Sequence, residues 1–242
     1  MIEFLDGPVS GPITGTEIGW IGILVAVILF GFAVRWRIKD EERSKRIEEK
    51  LEKMGAYLGG IPELPKTNPI RKGFNDAILV MDKAGRGEAK YDEAIQIFRK
   101  LLPDAEGSQK VALLNLIGLC FHHQSEFDQA LGSYKESLEL AKEIKDKEGE
   151  AVALGNIGAI YQVKEELDKA LEYQEKALEI NKELGRKEGI AQSLGNIGLI
   201  YSDKGELDKA LENYNKSLGL FTEMGMTREI ELVKSNIAKT KE

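Results

Sequence analysis

The sequence predicts an all-α protein: a single N-terminal transmembrane helix, then a solenoid of helical hairpins, then a C-terminal capping helix. Three observations lead to this prediction. An uncharged apolar run occupies residues 18–34, and a motif recurs at an interval of 40 residues further along the chain. The composition, with 31% charged and 7% aromatic residues, is typical of exposed helical surface and not of a β-sandwich.

Composition also disfavours several functional classes. The 242 residues contain one cysteine, so no disulfide framework is expected, and one cysteine with two histidines does not make the usual zinc site. The net charge of −7 argues against a general nucleic-acid binder, because nothing offsets repulsion from phosphates. No glycine-rich phosphate loop, nucleophile motif or metal-ligand motif is present. We therefore expect no enzyme activity, catalytic residue, cofactor, metal or small-molecule substrate.

The apolar run predicts a transmembrane helix over residues 18–36. Its 17 uncharged residues cover about 25 Å, the short end of what crosses a hydrocarbon core of about 30 Å. Trp20 and Trp36 lie near its two ends, where indole rings favour the headgroup region. A cleavable signal peptide is disfavoured, because residues 1–17 contain three carboxylates and no lysine or arginine.

Basic residues follow the run at once, and Arg35 and Arg37 are the nearest to it. Since positive residues resist translocation, we expect residues 1–17 to form an extracytoplasmic tail and the chain after the span to lie in the cytoplasm. The predicted location is the cell membrane, with one pass that contacts lipid through residues 18–36. Enrichment in lysine and glutamate with little glutamine favours a prokaryotic source.

Two segments connect the span to the repeats. Residues 37–58 predict a charged juxtamembrane helix with a narrow apolar stripe. The stripe fits either a solvated extension of the membrane helix or a short docking seam on a neighbouring protein, and two heptads are too few to decide. Residues 59–70 contain three prolines and two glycines and predict a linker.

An internal repeat determines the fold predicted for residues 71–242. The segment 154–161 aligns with 194–201, and the same offset of 40 residues aligns 166–172 with 206–212, which are both Glu-Leu-Asp-Lys-Ala-Leu-Glu. A glycine within a helix costs about 1 kcal/mol, so a glycine that recurs at one position indicates that two helices approach closely there. Those glycines are Gly118, Gly158 and Gly198. Because one hairpin cannot bury its apolar face alone, stacked units and a cap are needed.

The pattern resembles the tetratricopeptide repeat, in its longer variety like that of kinesin light chains. The family's order is a large apolar residue, Leu-Gly, Tyr, Ala, an aromatic residue and Ala. In the middle unit these positions read Leu154, Ile157, Gly158, Tyr161, Ala170, Gln174 and Ala177, so Gln174 replaces the usual aromatic residue. The resemblance implies a degenerate unit at 71–107, full units at 108–147, 148–187 and 188–226, and a capping helix at 227–239.

The resemblance also implies a concave groove lined by the first helix of each unit. Asparagine is frequent at one groove position of the family, where it holds the backbone of a bound peptide, and here that position is Asn156, Asn196 and Asn236. An amide supplies both a donor and an acceptor, which suits an extended peptide and equally suits hydrogen bonds between units. Leu116 occupies the position in the first full unit, so the asparagine series is confined to the C-terminal half.

The other groove positions carry small, apolar or neutral polar side chains, among them Gln162, Gln192 and Leu199. The lysine and arginine residues with which the chaperone-binding subclass holds a terminal carboxylate are absent from these positions. We therefore expect a neutral or mildly hydrophobic partner segment, either extended or helical.

Two functions fit these features. The first is a membrane-anchored cytoplasmic protein–protein interaction scaffold that holds a partner peptide or helix in the groove. The second is a structural accessory subunit of a larger integral membrane complex, docked through the transmembrane helix. An assembly factor for such a complex would share the first mechanism with a transient partner. In each case the partner is a protein, which the sequence does not identify.

Overall fold

The computed structural model describes residues 68–241, and every regular element in that range is helical. From the third helix onward a helix begins every 20 residues, and each of α3 to α8 has 17 residues. A single 3-10 turn, Leu102–Asp104, follows α2. The predicted all-α solenoid with a C-terminal helix is confirmed for this part of the chain. The helices are α1 (Pro69–Gly85), α2 (Tyr91–Leu101), α3 (Gly107–His123), α4 (Phe127–Glu143), α5 (Lys147–Val163), α6 (Leu167–Glu183), α7 (Lys187–Asp203), α8 (Leu207–Glu223) and α9 (Thr227–Thr240).

The first helix begins inside the range that the sequence analysis assigned to the linker, 59–70. Pro69 occupies its first turn, where the missing N–H costs no hydrogen bond and the fixed φ suits a helix. Asn68 caps the end, since its Oδ1 accepts a hydrogen bond of 2.9 Å from the backbone N–H of Ile70. Proline therefore starts a helix here instead of extending the linker.

The predicted tail, transmembrane helix and juxtamembrane helix lie outside the described residues. Trp20, Trp36, Arg35 and Arg37 lie outside them as well. Among the helices between residues 68 and 241, none is both long enough and apolar enough to cross a membrane.

The turns from the end of α3 onward share one backbone geometry. In the first of these turns the N–H of Glu126 donates to the carbonyl oxygen of Phe121 at 2.9 Å, which closes the end of α3. Each turn contains one residue with positive φ, spaced 20 residues apart. These residues are Ser125, Lys145 and Glu165, with φ of 60–61°, and Gly185, Gly205 and Gly225, with φ of 65–74°. Only the glycines adopt this region without steric cost.

Within each full hairpin, a glycine of the first helix faces a large side chain of the second. The pairs are Gly118 with Tyr134, Gly158 with Gln174, and Gly198 with Tyr214. A Cβ atom at Gly158 or Gly198 would also lie 3.2 Å from a backbone carbonyl oxygen of the second helix. The prediction that these glycines mark close approaches is confirmed, and the buried rings of Tyr134 and Tyr214 are what two of them accommodate.

Polar contacts join successive units at a constant register. Lys164, at the end of α5, donates to Asp128 of the preceding unit at 2.8 Å, and Lys204 pairs in the same way with Asp168. Both aspartates are about nine-tenths exposed, so these pairs contribute little to stability. They mark a repeated contact between the turn of one unit and the second helix of the unit before it.

The last helix, α9, covers the end of the described array. Val233 is buried, and Ile230 and Ile237 pack against the cluster that contains Tyr214 and Phe221. The outer face is polar because Lys234 stands 40 residues after Leu194, at a position that is apolar in the preceding units. This arrangement agrees with a first-type helix that packs on the last described hairpin.

Candidate functional site

A cavity of about 110 Å³ opens between α5 and α7, in the middle of the series of first helices. Its walls come from α5, α6, α7 and the turn before α7. The lining residues are Ala151, Val152, Gly155, Asn156, Ala159, Gln174, Asn181, Arg186, Glu188, Gly189, Gln192, Ser193 and Asn196. Six of these thirteen residues carry amide or hydroxyl groups, two are charged, and five are glycine or small apolar residues, so the recess combines polar and apolar surface.

Three of the six groove residues predicted from the sequence line this cavity: Asn156, Asn196 and Gln192. The other three lie elsewhere. Gln162 donates to Asp203 Oδ2 at 2.6 Å between the ends of α5 and α7, Leu199 is exposed on α7, and Asn236 is half-buried on α9. The geometry thus gathers one amide group between two units instead of a uniform asparagine series, and the binding role of each residue stays a prediction.

Gln174 forms part of the cavity floor from α6. Its side chain is 1% exposed, and its Nε2 donates a hydrogen bond of 2.8 Å to the carbonyl oxygen of Gly155. Its Oε1 is buried and has no hydrogen-bond partner. A buried acceptor that stays unsatisfied costs about 1–3 kcal/mol, so this oxygen favours a donor nearby. The aligned residues of the neighbouring units, Tyr134 and Tyr214, fill the same position with rings.

Asn181 adds a second buried amide, near the C-terminal end of α6. It accepts a hydrogen bond of 3.2 Å from Arg186 Nη1, and its Nδ2 lies 3.5 Å from Ser193 Oγ. Gly189 leaves room for it, because a Cβ atom there would clash with the Asn181 amide. The aligned residues of the neighbouring units are Ala141 and Phe221, so only this junction has a polar residue at that position.

Two charged residues of opposite sign, Arg186 and Glu188, line the cavity. Arg186 pairs with Glu148 at 3.1 Å and is largely shielded from solvent, with a side-chain exposure of 22%. Glu188 accepts a hydrogen bond of 3.0 Å from Gln192. The sequence prediction of small, apolar and neutral polar groove positions is therefore incomplete, since it omitted Arg186 and Glu188. The guanidinium is already engaged by a carboxylate and an amide, so it is not a free clamp for a terminal carboxylate.

The first full unit differs from the next two. Leu116, at the position aligned with Asn156, is fully buried, and its neighbour Asn115 is 1% exposed. Asn156 and Asn196, by contrast, are partly exposed. Accessible amides in the groove are thus found on α5 and α7 and not on α3.

A second depression, of about 650 Å³, is open and lies between α4 and α6. Leu138, Leu154 and Ile180 contribute apolar side chains, and the walls carry four lysines and four glutamates. Since the charges balance and the volume is open to solvent, this surface has no feature that favours a particular ligand.

The single cysteine and the two histidines lie near the first junction. Cys120 is buried, and burial raises its pKa to about 12. His123 stacks on Tyr91 with ring centroids 5.1 Å apart, while His122 meets Phe127 edge-on at 6.0 Å. The two histidines contact different aromatic rings, as expected for adjacent residues at a helix end. Between residues 68 and 241 no group of three or more histidine, cysteine, aspartate or glutamate side chains could hold a metal ion.

The sequence analysis missed Asn181, Arg186 and Ser193. A signal was available, because alignment at the 40-residue offset places Asn181 between Ala141 and Phe221. A polar residue at a position that is apolar in adjacent units points to a polar network inside that junction.

Paired helices stacked unit on unit, with a polar cavity among the first helices, define a helical-repeat interaction module. Comparison with known families agrees: residues 109–183 and 149–223 match the family described as Tetratricopeptide repeat. These segments are thus similar to tetratricopeptide repeats, a fold that is in general a non-enzymatic module for binding proteins. No curated protein matches the chain.

Solved structures support the same fold. BtubC (BKLC) from P. vanneervenii is 16% identical with a TM-score of 0.56, and the match covers 81% of this chain and 91% of that one. Aspartyl phosphate phosphatase F from Bacillus subtilis is 18% identical with a TM-score of 0.58, and the match covers 70% of this chain and 46% of that one. At these identities the likeness concerns the fold alone.

Proposed function

We propose that this chain is a membrane-anchored protein–protein interaction scaffold that holds a segment of a partner protein in the groove formed by α5, α7 and α9. The observation that carries the proposal is the cavity that brings Asn156, Gln192 and Asn196 together. Amide groups on a concave helical surface offer donors and acceptors to a peptide backbone whatever its side chains are. The similarity of residues 109–223 to tetratricopeptide repeats supports a role in binding proteins.

The membrane anchor in this proposal rests on the sequence of residues 18–36. A chain without these residues should leave the membrane fraction, whereas the full chain should resist extraction with alkaline carbonate and yield only to detergent. Recovery of the full chain in the soluble fraction would contradict the anchor and leave the interaction role standing.

The interaction role is tested by extracting native membranes in mild detergent and identifying the proteins that copurify. The variant N156A/N196A should lose partners that the full chain retains. The matched control is N213A/N215A, which removes two asparagines from α8 that do not line the cavity.

A version ending at Leu58 decides between the two functions, because a structural subunit docked through the membrane helix would copurify with its complex even without the repeats. Loss of partners in the truncated chain and in N156A/N196A, but not in the control, is the expected result.

A further inference from the structure

We propose that the cavity between α5 and α7 is a specificity pocket that takes one carboxamide side chain, asparagine or glutamine, of the segment bound in the groove. The inference rests on the proposed function and adds to it the chemistry of the residue selected. It comes from the one junction in which amides replace the apolar or aromatic residues of the neighbouring units.

The first argument is an unpaired acceptor. Gln174 is only 1% exposed, and its Nε2 already donates a hydrogen bond to the carbonyl oxygen of Gly155. Its Oε1 has no partner among the described residues. A buried acceptor of this kind calls for a donor. Because Gln174 lines the cavity, a small movement of its side chain would bring Oε1 within reach of a donor that enters there. The occupant should therefore carry an N–H or O–H group.

The second argument is charge. Arg186 and Glu188 are the two charged residues that line the cavity, and their charges cancel. Because the guanidinium is already paired with Glu148 and hydrogen-bonded to Asn181, a carboxylate entering the recess would meet Glu188 without a free cation to balance it. Aspartate and glutamate side chains are thus disfavoured relative to their amides.

The third argument is the donor and acceptor content of the walls. Asn156, Gln192 and Asn196 present amides, which both donate and accept, next to the acceptor of Gln174. A carboxamide has the same two functions, so one side chain can satisfy Gln174 and an amide of the wall together. A hydroxyl is shorter and has a single donor hydrogen, which makes it the poorer match.

The fourth argument is size. The volume of about 110 Å³ is smaller than a cavity of about 150 Å³ that holds benzene. An asparagine or glutamine side chain is therefore a closer match in size than an aromatic ring.

The test is a selection from a random twelve-residue peptide library displayed on phage against the full chain held in lipid nanodiscs. Three variants are then measured with the selected peptides. Q174M removes the amide at similar length, and Q174Y restores the residue type found at Tyr134 and Tyr214. The matched control is Y134F, which alters the aligned position of the preceding unit. Melting curves establish that each variant is folded.

We expect the selected peptides to share an asparagine or glutamine at one fixed position. Replacement of that residue by leucine or aspartate should weaken binding to the full chain at least tenfold. Q174M and Q174Y should bind the original peptides at least tenfold more weakly, while Y134F binds them as the parent does. With Q174M, the leucine-substituted peptide should lose no further affinity.

Two outcomes overturn parts of the argument separately. If peptides are selected but no position is restricted to a carboxamide, or if Q174M binds them unchanged, the pocket inference is wrong and the groove function stands. If no peptide is enriched on the full chain, the proposed interaction function fails, and the pocket inference fails with it.

Discussion

A Cβ atom on Gly118 would lie 2.6 Å from Cε1 of Tyr134, closer than side-chain atoms approach one another in folded proteins. Gly198 and Tyr214 repeat this relationship at 2.8 Å. In the middle unit the side-chain atoms facing the glycine belong to Gln174, whose Cγ and Nε2 would lie 3.0 Å away, and the carbonyl oxygen of Ala170 would lie 3.2 Å away. Replacement of the glycine by alanine should consequently change the free energy of unfolding by different amounts in the three units.

We expect G118A and G198A to lower the free energy of unfolding by about 1–3 kcal/mol, because a buried ring must move to admit the methyl group. G158A should cost less, about 1 kcal/mol, since the gain of about 1 kcal/mol in helix propensity offsets part of the strain against Gln174 and the Ala170 carbonyl oxygen. Urea unfolding followed by circular dichroism measures all three. Equal losses in the three variants would show that the facing side chain does not control the effect.

The turn residues provide a second matched comparison. Lys145 and Gly185 occupy the same position 40 residues apart and have φ of 60° and 65°. A non-glycine residue with this backbone conformation costs about 1–2 kcal/mol in steric strain. K145G removes that strain but adds the larger conformational entropy that glycine loses on folding, so we expect the free energy of unfolding to rise by about 0.5–1 kcal/mol. G185A should lower it by about 1 kcal/mol. Opposite shifts of the thermal midpoint are expected, and shifts of the same sign would contradict the backbone explanation.

The two histidines predict how stability depends on pH. Burial lowers the pKa of His122 and of His123 below the usual value of 6.5. The unfolded chain therefore binds protons more readily, and stability is complete above the unfolded pKa and declines as pH falls from about 6.5 through the lowered folded pKa. Urea titrations at pH of about 7.5, 6.5 and 5.5 should show this decline.

The double variant H122Q/H123F serves as the reference for that measurement, because it removes both titrations and keeps an aromatic ring against Tyr91. Its stability should change less than that of the parent over the same range. A parent and variant with parallel pH profiles would assign the decline to carboxylates instead.

Cys120 should be inert in the folded protein. Its side chain is buried, and the raised pKa of about 12 leaves almost no thiolate at neutral pH. We expect no labelling by N-ethylmaleimide under native conditions and complete labelling in denaturant. Since this is the only cysteine of the sequence, mass spectrometry reports the reaction without interference. Rapid labelling of the native chain would mean that α3 opens readily.

Much of the fold could be predicted because the repeat is periodic. A 40-residue offset that aligns glycines with glycines and alanines with alanines fixes both the helices and their pairing, as Gly198 and Tyr214 illustrate. The start of α1 could not be predicted in this way, because Pro69 is compatible with a linker and with the first turn of a helix. Only the cap by Asn68 distinguishes the two.

The candidate site was less accessible to sequence analysis. The asparagines at 156 and 196 were predicted from their recurrence, but the cavity depends on residues that break the pattern. Gln174 was recognised as a departure, whereas the opening of a polar recess depends also on Asn181 and Gly189, which lie in different helices. A repeat alignment identifies the residues that the units share, whereas the cavity depends on residues that occur in one unit only.

The packing contacts of the described array join mainly each helix to its neighbours in sequence and, much less extensively, each first helix from α3 onward to the first helix of the next unit. Such an arrangement deforms elastically along its whole length. A rotation of a few degrees at one junction adds to the rotation at the next, so the curvature of the groove changes by summation and needs no hinge. The exposed lysine–aspartate pairs cross between adjacent coils and tolerate such strain, because surface ion pairs exchange readily with water. A force applied at one end of the array would thus be distributed over all junctions and would change the width of the cavity between α5 and α7 only slightly.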